Sequence, residues 1–113
     1  MKLMIALLML ATAQAETVRT FEARPVAEQA NVVSGFIEKM TADIGKTNPK
    51  LMQAIRGWFT VKPEGQPVSD GVRKFSAELA ALDEVAKEGR ADLDRIQIEG
   101  VIMKVVRDKF PPK

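Results

Sequence analysis

Residues 69–89 read SDGVRKFSAELAALDEVAKEG, and the spacing of their apolar letters decides the fold class. Counted from the preceding valine, Val68, Val72, Phe75, Leu79, Leu82 and Ala86 recur at alternating intervals of four and three, which places them on one face of an α-helix. Alanine, leucine and glutamate crowd Ala77 to Ala86, and these side chains lose little freedom in a helix. Ser69 or Asp70 can cap the start, since either side-chain oxygen can accept from an otherwise unpaired first-turn amide. Gly89 supplies the stop, because glycine takes the left-handed backbone geometry of a C-cap.

Upstream, Pro63, Gly65 and Pro67 mark a loop, proline being unable to continue the hydrogen-bond ladder. Before the loop, Asn48 and Pro49 repeat a helix start, and Leu51, Met52, Ile55, Trp58 and Phe59 follow at helical spacing. A longer helix begins at Pro25. Its face is Val26, Ala30, Val33, Ile37, Met40 and Ile44, widened by Val32 and Phe36, while Glu28, Gln29, Glu38, Lys39 and Asp43 keep the other side polar. Gly45 ends it, and Glu16 to Arg24 reads as a polar lead.

Downstream, Ile96-Gln97-Ile98 alternates like a strand, whereas Ile98, Val101, Ile102, Val105, Val106 and Phe110 fit a helix. Length favours the helix, with Asp92 as its cap, Lys104, Arg107 and Lys109 at the negative end of its dipole, and Pro111-Pro112 as the stop. A β-hairpin centred on Glu99-Gly100 is the alternative. The pattern therefore predicts an all-α chain, a small four-helix bundle-like domain over residues 16–113.

The first fifteen residues, MKLMIALLMLATAQA, belong to a different category. Lys2 gives a positive start, Leu3 to Leu10 an apolar run too short for a mature membrane span, and Ala13 and Ala15 the small residues of a cleavage site. This is the pattern of a signal peptide cut before Glu16, and it predicts a periplasmic or secreted protein. Removing Lys2 leaves the mature chain close to neutral, because the whole sequence holds 17 basic and 15 acidic residues. Bulk charge thus offers little attraction to nucleic acid or to an anionic membrane.

Composition narrows the chemistry. The sequence contains no cysteine, histidine or tyrosine, which removes thiol nucleophiles, disulfides, zinc-thiolate sites and the usual neutral-pH base. A Ser-Lys pair could draw on Ser34, Ser69 or Ser76, though each has a simpler role as helix surface or cap. Gly45-Lys46-Thr47 resembles the end of a phosphate loop, but Met40 stands where the upstream glycine belongs. Asp92 and Asp94, or Asp83 and Glu84, lack calcium-loop spacing. The reading is a protein that is not an enzyme and needs no metal or cofactor.

Arg56-Gly57-Trp58-Phe59 holds the only tryptophan, between an arginine and a phenylalanine. Tryptophan and arginine dominate protein interfaces, so Arg56, Trp58 and Phe59 are the candidate partner-binding residues, with closure of one end of the core as the plainer role for Trp58 and Phe59.

One resemblance spans most of the mature chain. Val32-Val33-Ser34-Gly35-Phe36 lies in the first helix, Pro67-Val68-Ser69-Asp70-Gly71-Val72 opens a later one, and Lys109-Phe110-Pro111 closes the chain. This order resembles the small helical immunity proteins that neutralise amidase effectors delivered by type VI secretion. Those proteins usually carry disulfide-forming cysteines, one of them after the closing Phe-Pro, where this chain has Pro112. The resemblance implies a periplasmic, non-enzymatic protein that inserts a loop or helix face into the cleft of a partner enzyme, and it transfers no contact residue. The expected function is accordingly protein binding. The alternatives are a carrier with an apolar pocket lined by Phe36, Met40, Met52 and Met103, and a self-associating envelope protein.

Overall fold

The computed structural model describes residues 16–63 and 65–111, so the leader assigned to residues 1–15 and the final Pro112 stop lie outside the described residues. The described chain is all-α. Five helices follow one another: α1 (Val18–Glu22), α2 (Val26–Gly45), α3 (Pro49–Trp58), α4 (Asp70–Lys87) and α5 (Ile98–Lys109). Among the described residues no helix is long and apolar enough to cross a membrane.

Helices α2 to α4 begin and end where their sequences put the signals. Pro25 precedes α2, the Asn48 side chain accepts from the Leu51 amide at 3.1 Å above Pro49, and the Ser69 hydroxyl accepts from the Val72 amide at 3.4 Å. At the end of α4, Gly89 takes φ 76° and donates to the Ala86 carbonyl, while Arg90 donates to Val85, both at 3.0 Å. This pair of bonds satisfies two carbonyls that a helix end otherwise leaves without partners.

Two regions depart from the sequence reading. The supposed polar lead forms α1, closed by a reciprocal cap in which Thr20 N donates to Thr17 Oγ1 at 3.3 Å and Thr17 N to Thr20 Oγ1 at 3.0 Å. Five residues are too few to persist as a helix in water, and tertiary contacts supply the difference. Val18 N donates to Ile96 O at 2.9 Å, Arg19 N to Leu93 O at 3.2 Å, and Ile98 N to Glu16 O at 3.0 Å. Val18 and Phe21 are buried at the centre of the core.

The second departure is the entry to α5, which starts at Ile98 rather than near Asp92. Asp92 caps a turn instead, its carboxylate accepting from the Asp94 amide at 3.0 Å. Gln97 pairs with Thr17 as an isolated antiparallel bridge, which accounts for the strand-like letters around it. Glu99 and Gly100 are helical, so the hairpin alternative is excluded.

Helix α2 packs mainly on α3 and α4 mainly on α5, and the buried apolar residues of all five helices form one cluster. Its centre is aromatic: Phe75 meets Phe21 edge-on, centroids 5.7 Å apart, and Phe59 at 6.0 Å. Helix α4 reaches α3 closely because Gly71 has no side chain. A Cβ at that position would lie 2.7 Å from the Trp58 carbonyl oxygen and 2.9 Å from Phe59 Cα. Two residues counted on the apolar faces stay outside the core: Val26 is 80% exposed and Val68 50% exposed.

Candidate functional site

The end of α3 sends its three candidate residues to three different environments. Phe59, 2% exposed, belongs to the core. Arg56 turns back onto α2, its Nε donating to Thr41 Oγ1 at 2.8 Å and its guanidinium pairing with Glu38 at 3.2 Å. The buried Thr41 hydroxyl in turn donates to the Ile37 carbonyl at 2.6 Å, so Arg56 ties α3 to α2. Trp58 is half-buried, with edge-to-face contacts to Phe59 at 5.9 Å and to Phe110 at 5.7 Å.

Trp58 closes one end of the core and still leaves part of its indole at the surface. It packs against the core and also lines a hollow of about 360 Å³ with Lys74, Glu78, Val105, Asp108 and Lys109. Lys104 bridges the two acids, at 2.9 Å from Glu78 and 3.3 Å from Asp108. The hydrogen bonds that Lys104 donates to these carboxylates, led by the one to Glu78, raise its pKa. Among the described residues Lys74 and Lys109 have no carboxylate within 4.0 Å, leaving the hollow an indole wall with two uncommitted ammonium groups. Such a surface can pack an apolar side chain and receive an acidic one.

A second hollow, an open groove of about 870 Å³, runs between the N-terminal half of α2 and the start of α4, beside the proline loop. Phe21, Val33 and Phe75 line it as buried residues, and the exposed Val26 and Val68 flank them. Ser34, Ser69 and Ser76 all reach this groove together with Lys62. Ser69 is engaged as the α4 cap, and among the described residues no hydrogen bond joins Lys62 to any of the three. Sequence reasoning missed the groove, whose one signal was the proline loop. The four residues proposed for an apolar pocket, Phe36, Met40, Met52 and Met103, line neither hollow: the first three are half-buried, and Met103 is 36% exposed.

Two carboxylates stand in unusual surroundings elsewhere. Glu16, its side chain 11% exposed, holds Arg24 through bonds of 2.9 and 2.8 Å. Those bonds lower its pKa against the opposing effect of burial. Glu22 is pushed up to about 7, first by burial of its carboxyl group and then by hydrogen bonding and repulsion from Asp83, with Arg19 opposing. Asp92 and Asp94 pair with Arg95 at 3.4 Å and Arg19 at 2.8 Å, and among the described residues no three acidic side chains gather to hold a metal ion.

Comparison with protein-family models, with curated proteins and with solved structures gives no match to this chain.

Proposed function

We propose that the protein is an exported, non-enzymatic helical domain, bundle-like with α1 as an added clamp, that binds a protein partner through the hollow around Trp58. The half-buried Trp58 beside two lysines that have no carboxylate partner among the described residues is the observation that carries this reading. A large amphipathic side chain already held by Phe59 and Phe110 loses little freedom when a partner covers it. Lys74 and Lys109 favour a partner with an acidic rim. The signal-peptide pattern at residues 1–15 supports a periplasmic or secreted setting, and the resemblance to type VI immunity proteins supports an inhibitor of a delivered enzyme. Arg56 and Phe59 serve the site by positioning α3, not by touching the partner.

Affinity capture from envelope and secreted fractions, read by mass spectrometry, tests the reading when wild type is run beside Trp58→Ala and the double variant Lys74→Glu/Lys109→Glu. The expected result is one stoichiometric protein captured by wild type and lost from both variants, with helix content unchanged by circular dichroism. Equal capture by the charge-reversed variant refutes the assignment. A second reading, carriage of a small apolar ligand, is favoured by the groove along α2.

A further inference from the structure

We propose that the groove between α2 and α4 binds the acyl chain of a free long-chain fatty acid, with Lys62 meeting its carboxylate. This rests on the carrier reading alone and is independent of the Trp58 hollow. The volume of about 870 Å³ lies within the range of small-molecule clefts, about 300–1,000 Å³.

The groove's surface favours an acyl chain over a peptide. Its floor is Phe21, Val33 and Phe75, and its half-buried walls include Ala30, Val72 and Leu79, none of which carries a side-chain hydrogen-bonding group. A peptide would bring amides and carbonyls that need partners, whereas an acyl chain brings none. The polar side chains of the lining that are buried or half-buried, Gln29 and Ser69, are already engaged, as is the exposed Thr60, while Asn31, Ser34, Gln66 and Ser76 lie exposed. Gln29 donates to the Phe21 and Arg24 carbonyls at 3.2 and 3.0 Å, the Thr60 hydroxyl donates to Arg56 O at 2.7 Å, and the Ser69 hydroxyl caps α4.

Charge completes the match. Lys62 is the one charged side chain among the described residues of the lining, and it has no carboxylate within 4.0 Å among the described residues. Among the described residues of the lining, one cation beside a largely apolar channel complements a ligand with one anionic end and a hydrocarbon body. The exposed Val26 and Val68 gain cover when the channel is filled.

The probe is cis-parinaric acid, whose fluorescence rises on entering an apolar site, titrated into the protein as purified from expressing cells and then displaced with oleate. Saturation at one probe per chain, below the micellar concentration, is the expected result. Lys62→Glu should weaken binding about tenfold, the scale of one charge-assisted contact. Lys50→Glu, the same charge reversal on the exposed surface of α3, should leave binding unchanged. Ala30→Phe fills the groove and Val68→Asp places a charge at its exposed edge, so both should abolish the signal while melting checks the fold. Displacement by oleyl alcohol as readily as by oleate, equal binding by Lys62→Glu, or a signal seen only with anionic lipid vesicles would each overturn the assignment.

Discussion

Replacing Gly71 with alanine separates packing from helix propensity, because the two effects have opposite signs. An alanine inside a helix gains up to about 1 kcal/mol over glycine, and less in the first turn, where Gly71 lies. The added methyl, however, would meet the Trp58 carbonyl oxygen at 2.7 Å and Phe59 Cα and Cδ2 at 2.9 Å. Two of these atoms are backbone and cannot rotate away, and the Phe59 ring is held against Phe75. Overpacking of this kind costs about 1–3 kcal/mol, so the net loss should be about 1–2 kcal/mol. For a domain of this size each kcal/mol shifts the midpoint by about 4–8 °C, and thermal and urea melts should agree on the loss. Gly35→Ala and Gly100→Ala are the controls, both helical with nothing within 4 Å of the new methyl: Gly35→Ala, in the interior of α2, should stabilise by about 0.5–1 kcal/mol, and Gly100→Ala, in the first turn of α5, by less. A Gly71→Ala protein as stable as wild type would refute the close approach of α4 to α3.

Two further predictions concern pH. Glu22 has a folded pKa of about 7, above its ordinary 4.5, so its contribution to stability is full below about 4.5 and is lost as pH rises through 7. Glu22→Gln should therefore raise the melting temperature at pH 8 and leave it little changed at pH 5; no gain at pH 8 would refute the carboxylate pairing with Asp83. Glu16 is the reverse case, its pKa held below 4.5 by Arg24, so its contribution is present above 4.5 and lost as pH falls through the lowered value. Melts from pH 7 to pH 2 should show Glu16→Gln less stable at neutral pH and converging on wild type in acid. Parallel profiles would refute the clamp.

Helices α2 to α4 were legible because each carries its own punctuation: Pro25 and Gly45, Asn48-Pro49, Ser69 and Gly89. Local chemistry decides such ends. Helix α1 was not legible because its two buried side chains, Val18 and Phe21, show a single helical interval, and its support comes from residues 93–98, far away in the chain. The same pairing moved the start of α5 from Asp92 to Ile98, since Gln97 is recruited by Thr17. The surroundings of the candidate residues were only partly legible. A tryptophan near an arginine drew attention to the end of α3, but periodicity could not tell that Phe59 points to the core, that Arg56 turns to Thr41, or that Lys74 and Lys109 arrive from other helices. The groove was less visible still, because a gap between α2 and α4 is a property of two helices that do not meet.

The pairing of Glu16–Arg19 with residues 93–98 constrains the order in which the molecule can be assembled. A ribosome delivers the first of these segments long before the second, so Val18 and Phe21 have no permanent place until nearly all of the chain has been made. The α2–α3 pair can form from neighbouring sequence, while closure of the core waits for Leu93 and Ile98. Until then the nascent chain keeps Val18 and Phe21 uncommitted. Completion of the last helix is the event that makes the fold whole.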